Sequence, residues 1–244
     1  MANLRANKIV GIGSTDAGVV FQGDVKINSQ GYMYFPTGNT EQRGRGRGLI
    51  VSNYIAPTNY KTCEYITIQS LGNSVDFGDA SAAVRGHATL ASSTRAVSGG
   101  GYVAPATVDT IEYFTIATTG NGTDFGDLSQ ARSNLSGFSS NTRGVFAGGS
   151  NPTNNILDYV TIASAGNATD FGDLICNTTL QASVATSNSV RGLVAGGDMQ
   201  PANAYTNTIQ HVTITTTGNA SDFGDMLTTG AYRGMTSDSH GGLE

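Results

Sequence analysis

The residues best suited to chemistry in this 244-residue sequence are carboxylates that recur in pairs. Each pair flanks a Phe-Gly dipeptide in the motif Asp-Phe-Gly-Asp, which starts at Asp76, Asp124, Asp170 and Asp222. Carboxylate oxygens bind calcium, and paired carboxylates act as acid and base in hydrolysis. The four copies therefore raise two questions: whether they hold a metal ion, and whether they catalyse a reaction.

A calcium site is one interpretation of the motif. In the second copy its ligands would be Asn121, Asp124 and Asp127. Calcium takes about six to eight oxygen ligands, and each copy offers few carboxylates beyond two. Structural roles fit better: the carboxylates accept hydrogen bonds from turn amides, or one Asp pairs with the in-register Arg of a Thr-Arg-Gly marker. We predict no metal site and no cofactor.

The sequence lacks the local motifs of common enzymes. Asp-Phe-Gly is also the magnesium-binding motif of protein kinases, but no Gly-rich phosphate loop, paired Lys or catalytic loop accompanies it. Gly-x-Ser-x-Gly, His-Glu-x-x-His and Cys-x-x-Cys are missing as well. We predict that the protein is not an enzyme and has no catalytic residue. A glycosidase, which needs two carboxylates about 5 to 9 Å apart, is the least favoured function.

The carboxylate motif belongs to a longer repeat. Successive Asp-Phe-Gly-Asp copies lie 48, 46 and 52 residues apart. A second marker recurs every 48 residues as Arg47-Gly48, Arg95-Ala96, Arg143-Gly144 and Arg191-Gly192. Length therefore varies in loops between the markers. A period in this range indicates a solenoid, an array or a propeller.

Each repeat contains four predicted β-strands. In the third copy they are Leu135 to Ser140, Gly144 to Ala147, Leu157 to Ala163 and Thr169 to Leu174. A Pro-containing polar loop joins the second and third strands, as expected of a residue without an amide donor. A Gly-Asn pair, suited to a tight turn, joins the third and fourth strands. Four antiparallel strands of this length are typical of a propeller blade.

Repeat register also explains residues that look reactive. Cys63 stands where other copies have Ile or Leu, so we expect it to pack as a small hydrophobic side chain. His211 takes the place of Tyr65, Tyr113 and Tyr159, and we expect a packed ring there. Cys176 has no cysteine in register with it, which argues against a disulfide or a metal site from the pair.

The order of the repeat resembles the kelch repeat, in which an apolar strand ends in a double glycine and is followed by a tyrosine and then a tryptophan. Here the third copy has Val145-Phe146-Ala147-Gly148-Gly149, then Tyr159, with Phe171 in the tryptophan place. The chain departs from the pattern in having no Trp, and its first copy has Val51-Ser52-Asn53 instead of a double glycine.

The phrases Tyr-Val-Thr-Ile-Ala, Gly-Asn-Ala-Thr-Asp-Phe-Gly-Asp-Leu and Thr-Arg-Gly-Val-Phe-Ala-Gly-Gly look like the kelch-like repeats of virion proteins of marine bacteriophages. The similarity covers residues 47 to 244. It implies a structural role in a phage particle, and it carries no binding residues over to this chain. Capsid, head and tail-fibre positions all stay open.

From these features we predict an all-β protein with two parts. Residues 43 to 244 form a four-bladed kelch-like β-propeller, closed by a C-terminal strand from Ala231 to Ser239 that completes the first blade. Closure removes the exposed edges that make open sheets aggregate. The alternative is an open stack of sheets completed by other chains.

Residues 1 to 42 form a β-rich N-terminal arm, with predicted strands at 8–12, 19–22, 25–28 and 32–35. The arm is too small for a core of its own, so we expect it to anchor the protein to other virion proteins or to a second copy. A linker follows the arm, with the sequence Arg43-Gly44-Arg45-Gly46-Arg47-Gly48. Such an arginine-glycine tract also occurs in RNA-binding proteins.

Charge and composition limit the classes of molecule that this protein is expected to bind. The net charge is −5 and charged residues are 13%, which argues against nucleic acid because phosphate binding needs clustered Lys and Arg. No apolar run reaches the roughly 20 residues that span a bilayer, and the N-terminus lacks the apolar core of a secretory signal. We expect a protein made in a host cytoplasm and carried in a virion.

A ligand, if there is one, is expected at the loops between the second and third strands, which vary most among the copies. They are 53–62, 101–110, 150–155 and 198–208. Tyr60, Tyr102 and Tyr205 in these loops are the candidate ligand-binding residues, because an exposed Tyr offers apolar area with a polar tip. A host glycan or receptor is the expected ligand class. The other interpretation is that these rings only cover the ends of the blades.

Overall fold

The computed structural model describes residues 46–68, 70–176, 178–199, 204–230 and 234–237, and for 178–184 and 199 the backbone alone. All regular elements in this part of the chain are β-strands, and the main strands form one antiparallel sheet in each repeat. The all-β prediction is therefore confirmed. The predicted arm strands, the residues of Arg43 to Arg45 and the loop Pro201 lie outside the described residues.

The strands follow the repeat in chain order. The first repeat contains β1 (Arg47–Ile50), β2 (Asn53–Ile55), β3 (Thr58–Tyr60), β4 (Thr62–Thr67) and β5 (Val75–Asp79). The second contains β6 (Ala88–Ala91), β7 (Arg95–Gly99), β8 (Tyr102–Val103), β9 (Ala106–Thr107), β10 (Thr110–Thr115) and β11 (Thr123–Asp127). The third contains β12 (Ser136–Ser139), β13 (Arg143–Ala147), β14 (Ile156–Thr161) and β15 (Thr169–Asp173). The fourth contains β16 (Thr178–Ser187), β17 (Arg191–Met199), β18 (Ala204–Tyr205), β19 (Thr208–Thr213) and β20 (Ser221–Asp225).

Strand order is the same in every main sheet. The second, third and fourth sheets have four strands, ordered β6-β7-β10-β11, β12-β13-β14-β15 and β16-β17-β19-β20. The first has three, ordered β1-β4-β5. The four strands predicted for the third copy are confirmed to within two residues at each end.

Each sheet carries the same irregularity at the carboxylate motif. Ile111 pairs with Gly126 and Glu112 with Asp124, so Phe125 is an extra residue on β11. The same register shift occurs in the other three repeats. A bulge of this kind bends the strand and re-aims its side chains, which explains why Phe-Gly interrupts the two carboxylates.

The core lies between the sheets rather than within one of them. Three apolar clusters fill the space between consecutive sheets, centred on Phe77 and Phe114, on Phe125 and Phe146, and on Phe171 and Val194. The strand β10 buries side chains on both faces, with Ile111 0% and Phe114 1% exposed. The apolar residues on both alternating faces of Ile111 to Ile116 predict a strand covered on both sides, and for β10 this is confirmed.

The Pro-containing loops of the first two repeats contain short hairpins. β2 pairs with β3 and β8 with β9, while β18 adds to the end of β17. Pro57 and Pro105 lie in the turns of the first two hairpins, and Pro152 lies in a turn of the third loop. These three prolines therefore stay out of the hydrogen-bonded ladders, as predicted.

Closure of the four sheets into a ring is not seen among the described residues. Residues 234–237, part of the predicted closing strand, form no strand, and the first sheet keeps three strands. The remainder of the predicted strand, residues 231–233 and 238–239, lies outside the described residues. The closed propeller therefore stays a prediction, and the open stack stays its alternative.

Candidate functional site

The loop edge of the first two repeats brings aromatic and cationic groups together. The Arg85 guanidinium carbon lies 4.5 Å from the centre of the Tyr54 ring and 4.9 Å from that of Tyr102. Arg85 and Tyr102 also exchange backbone hydrogen bonds of 3.2 and 2.8 Å. A cation between two tyrosine faces is held in place by cation–π attraction. Tyr102 is thus part of a built cluster, which we call the Arg85 stack (Tyr54, Arg85, Tyr102).

Tyr60 and Tyr205, the other candidate ligand residues, are exposed and make no ring contact with the stack among the described residues. Tyr60 is 43% exposed on β3, and Tyr205 is 54% exposed on β18 in the fourth repeat. Neither makes a ring contact with Tyr102 among the described residues. The three tyrosines therefore share no ring contact in the described part of the chain. Tyr54 also lies in these loops by sequence, and the residue that sequence reasoning missed is Arg85.

Neighbouring loops contact each other along this edge. Asn59 Nδ2 lies 3.5 Å from the Tyr102 carbonyl, joining the first loop to the second. Thr107 Oγ1 donates to the Asn151 carbonyl at 3.1 Å, joining the second loop to the third. The hairpins consequently form a continuous surface that crosses three repeats.

The marker arginines hold the sheets together, and the prediction that they pair with a motif Asp is wrong. Arg47, Arg95 and Arg143 each donate from Nη1 to a carbonyl of the following repeat, at Ile116, Ile162 and Ile214 respectively, over 2.8–3.1 Å. Each guanidinium also lies over a Tyr ring of its own repeat at 4.3–4.6 Å. A carbonyl and a ring face satisfy the cation without a carboxylate.

The Phe of each motif packs against the Tyr or His ring on the third strand of its own repeat. Its ring meets the neighbouring ring edge to face at 5.8–6.1 Å, in the pairs Tyr65–Phe77, Tyr113–Phe125, Tyr159–Phe171 and His211–Phe223. The prediction of a packed His211 ring is thereby confirmed. Cys63 is fully buried in the first inter-sheet cluster, as predicted, and burial raises the pKa of its thiol.

The motif carboxylates act in turns, and the asparagine proposed as a calcium ligand has another partner. Asp170 and Asp222 each accept the backbone amide two residues on, at 3.1 Å. Asn121 Oδ1 accepts the Asp79 amide of the preceding repeat at 3.0 Å. Among the described residues no group of three or more His, Cys, Asp or Glu side chains is placed to hold a metal ion.

The Gly-Asn pairs, predicted to form tight turns, dock onto the preceding sheet. Gly120, Gly166 and Gly218 donate their amides to Phe77, Phe125 and Phe171 over 2.6–2.7 Å. Asn121, Asn167 and Asn219 accept the last Asp amide of the preceding motif over 3.0–3.1 Å. The Gly-Asn pair and the Asp-Phe-Gly-Asp motif both recur in every repeat. The hydrogen bonds between them join neighbouring repeats, however, and repeat register alone does not show that.

We did not predict from the sequence that a second side chain accepts a hydrogen bond at each junction, meaning the contact between two neighbouring sheets. Glu112, Asp158 and Gln210 occupy one register position and accept the backbone amides of Ser81, Ser129 and Ile175 over 2.6–3.1 Å. All three side chains are at most 5% exposed. Burial raises the pKa of Glu112, an effect that the Ser81 amide partly offsets. A polar residue within an apolar strand was the available signal.

The buried Arg132 and the partly buried His87 also lie near these junctions. Arg132 Nη2 lies 3.0 Å from Asp158 Oδ2, with both side chains fully buried. Burial lowers the pKa of Arg132, and the neighbouring Asp158 partly restores it. Burial also lowers the pKa of His87.

One gap between the sheets is too small to be an alternative site. The gap between the third and fourth sheets, lined by Phe138, Leu157 and Gln210 among others, has no room for a water molecule. None of the described residues belongs to a helix that is long and apolar enough to cross a bilayer.

The exposed loop edge with its Arg85 stack is therefore the best candidate for a binding surface, and the polar residues between the sheets serve the framework. Neither a protein-family model nor a curated protein sequence matches the chain.

Proposed function

We propose that the protein is a non-enzymatic structural component of a bacteriophage virion, as capsid decoration or as a head or tail-fibre part. Its sheets are kelch-like β-propeller blades, joined into a ring within one chain or, in the open-stack alternative, completed by other chains. The observation that carries the proposal is the role of the polar side chains that lie between neighbouring sheets. Glu112, Asp158 and Asn121 all hold one sheet to the next by accepting backbone amides. A repeated framework of this kind suits a rigid particle component.

The phage assignment rests on the repeat phrases, such as Gly-Asn-Ala-Thr-Asp-Phe-Gly-Asp-Leu at residues 166–174. In this proposal residues 1 to 42 anchor the protein to other virion proteins, and the propeller faces outward. Neither nucleic acid nor a membrane is a partner.

The test is to locate the chain in purified particles. Antibodies against residues 47–230 should label intact virions, and a density map should place the arm against another virion protein. Absence of the chain from purified particles contradicts the virion assignment. A map in which the sheets make all the contacts contradicts the anchor role of the arm while leaving the assignment intact.

A carbohydrate- or receptor-binding role is the second candidate, favoured by the loop edge. The Arg85 stack presents two aromatic rings around a cation, and Tyr60 adds an exposed ring on the neighbouring strand β3. Sugars commonly stack on such rings, and Tyr offers both an apolar face and a polar tip. Glycan-array binding by the wild type that Arg85→Ala abolishes supports this role. A blank array is evidence against glycans as the ligand.

Glycosidase activity is the third and least favoured candidate. Glu112 and Asp158, the most deeply buried carboxylates among the described residues, are committed to backbone amides of the preceding repeat. We expect a panel of glycoside substrates to show no turnover. Reproducible turnover that one Asp or Glu substitution abolishes contradicts the non-enzymatic proposal.

A further inference from the structure

The outer faces of the first and fourth sheets expose positions that the inner sheets bury. On the first sheet Ile66 is 38% exposed, whereas Phe114, Val160 and Val212, its counterparts in the other repeats, are 1%, 3% and 6% exposed. On the fourth sheet Phe223 is 49% exposed, whereas Phe77, Phe125 and Phe171 are each 2% exposed. Stacked repeats normally end in units with a polar outer face, and neither end face here is polar at these positions.

The inner junctions show what covers each kind of face. The face that carries the motif Phe always packs on the next sheet, at the side that carries Phe114, Val160 or Val212. The exposed face of the fourth sheet is therefore equivalent to the motif-Phe side of an inner junction. The exposed face of the first sheet is equivalent to the side on which that Phe packs. The two end faces of one chain are complementary to each other.

The hydrogen-bonding groups are complementary as well. At Gly78, Gly126 and Gly172 an added Cβ would lie 2.5–2.6 Å from the backbone of the docked Gly-Asn turn. Gly224, in the same position of the last repeat, has nothing within 4 Å. The last repeat thus has an open cradle for a Gly-Asn turn, and Gly72-Asn73 is the turn at the opposite end, with no preceding sheet among the described residues on which to dock.

The marker arginine and the junction acceptor repeat this arrangement. Arg47, Arg95 and Arg143 donate to the next repeat, but Arg191 has no carbonyl partner among the described residues. The equivalent carbonyl at the other end face is that of Ile68. Likewise, Glu64 occupies the register position of Glu112 at the other end of the stack. Glu112 accepts the Ser81 amide, and the equivalent amide in the last repeat belongs to Leu227, which is fully exposed.

Within the described part of the chain, the first sheet also has no outer strand beside β1. β6 and β12 each begin nine residues after the last Asp of the preceding motif, and the same spacing after Asp225 gives residues 234–237. In the inner junctions this segment crosses from one repeat to pair with the marker strand of the next. The corresponding strand is β1, Arg47–Ile50, which is the edge of the first sheet as far as the described residues show.

We propose that two copies of this chain associate head to tail, with the Phe223 face of one copy packed on the Ile66 face of the other. Residues 234–237 of the first copy then pair with β1 of the second. A second copy is the occupant because its end face supplies every missing element of the junction, while both faces of a single chain are exposed together. Such a heterologous contact leaves one face free on each side, so it continues into a ring or a filament.

The test uses Ile66→Lys and Phe223→Lys in the full chain, analysed by sedimentation velocity over a range of concentrations. Wild type should form concentration-dependent oligomers. Each variant alone should be monomeric, with association weakened at least about tenfold, because a lysine is placed in the apolar contact. A mixture of the two variants should form a 1:1 dimer that grows no further, since each variant keeps the intact face that the other lacks.

Ile55→Lys serves as the control, because Ile55 is 59% exposed in the β2–β3 hairpin, away from both faces. It should assemble like wild type. Deletion of residues 231–244 should weaken association without unfolding the sheets, whose melting temperature is measured in parallel.

Three outcomes overturn the proposal. A wild type that is monomeric throughout, with both lysine variants melting at lower temperature, shows that the ends close within one chain. Oligomers that neither lysine substitution weakens show that another surface, such as residues 1 to 42, drives assembly. Variants that stay monomeric when mixed show that the two faces do not bind each other.

Discussion

Arg132 and Asp158 form a salt bridge in which Nη2 lies 3.0 Å from Oδ2, and neither side chain is exposed to solvent. The same Asp158 oxygen accepts the Ser129 amide at 3.1 Å and the Ser129 hydroxyl at 2.8 Å. The pair joins the second sheet to the third, where the preceding junction has Val84 and Glu112 in register. One junction therefore carries a buried cation that the preceding junction does without.

Replacing Arg132 by Val should destabilise the protein by roughly 3–5 kcal/mol, because it leaves the Asp158 carboxylate buried without its counter-charge. The double variant Arg132→Val with Asp158→Gln uses residues found in register at Val84 and Gln210. It should recover most of the loss, since Gln keeps an acceptor for Ser129 without a charge. Urea denaturation of the three proteins measures this, and a single-variant loss below about 1 kcal/mol contradicts it.

Substitution of Gly126 by Ala should be more costly than the same change at Gly224. Both glycines have positive φ, +143° and +137°, so the backbone strain of an Ala is similar at the two sites. At Gly126 the new Cβ would lie 2.5 Å from the backbone of Gly166, whereas at Gly224 nothing lies within 4 Å. We expect Gly126→Ala to lose about 1–3 kcal/mol more, as in an overpacked core.

The comparison requires thermal or urea unfolding at a concentration where the protein is monomeric. Equal losses at the two glycines would show that the docked Gly166-Asn167 turn moves aside readily. Gly224→Ala should also weaken self-association, because the added methyl group occupies the open cradle.

Stability should fall as the pH decreases below about 6.5, and His87 should contribute to that fall. Burial lowers the pKa of His87 below its ordinary value of 6.5, so the unfolded chain takes up a proton before the folded chain does. Unfolding is therefore favoured as the pH falls from 6.5 through the folded-state pKa, and the group has no effect well above 6.5.

His87→Gln should flatten the fall in unfolding free energy between pH 7 and pH 5, because Gln is polar and does not titrate. Glu112, whose pKa is raised by burial, acts in the opposite direction above pH 4.5 in both proteins, so the difference between them isolates His87. Parallel curves for the two proteins would mean that His87 has the same pKa folded and unfolded.

Alanine at Tyr60, Tyr102 and Tyr205 together separates recognition from packing. Tyr60 and Tyr205 are about half exposed, so their loss should change the melting temperature little, whereas Tyr102 contacts Arg85 and should account for most of any effect. Binding to host cells or glycans is measured alongside. Lost binding at constant melting temperature indicates recognition; lost stability, or unchanged binding, indicates that the rings only cover the sheet ends. The single Tyr205→Ala variant is the matched control for an isolated exposed ring.

The sequence by itself determined the period, the β-strands and the positions that are buried. Alternating apolar residues on strands such as Ile111 to Ile116 require cover on both faces, and that pattern is local. The burial of Cys63 and the packed ring of His211 followed from register, because equivalent positions in a repeat share an environment. The turn role of the motif carboxylates followed from their short reach to nearby backbone amides.

Only the tertiary structure decided which groups meet across repeats. The marker arginines were expected to pair with an Asp, but they reach carbonyls about 70 residues away, as from Arg143 to Ile214. The Arg85 stack joins Tyr54 to Tyr102 across a repeat boundary, while Tyr60 and Tyr205 make no ring contact with it among the described residues. A backbone carbonyl is present in every residue, so the sequence does not show which carbonyl accepts a hydrogen bond from an arginine. Stacking between loops depends on how the hairpins are placed. The open end faces likewise depend on the placement of whole sheets, which no local pattern encodes.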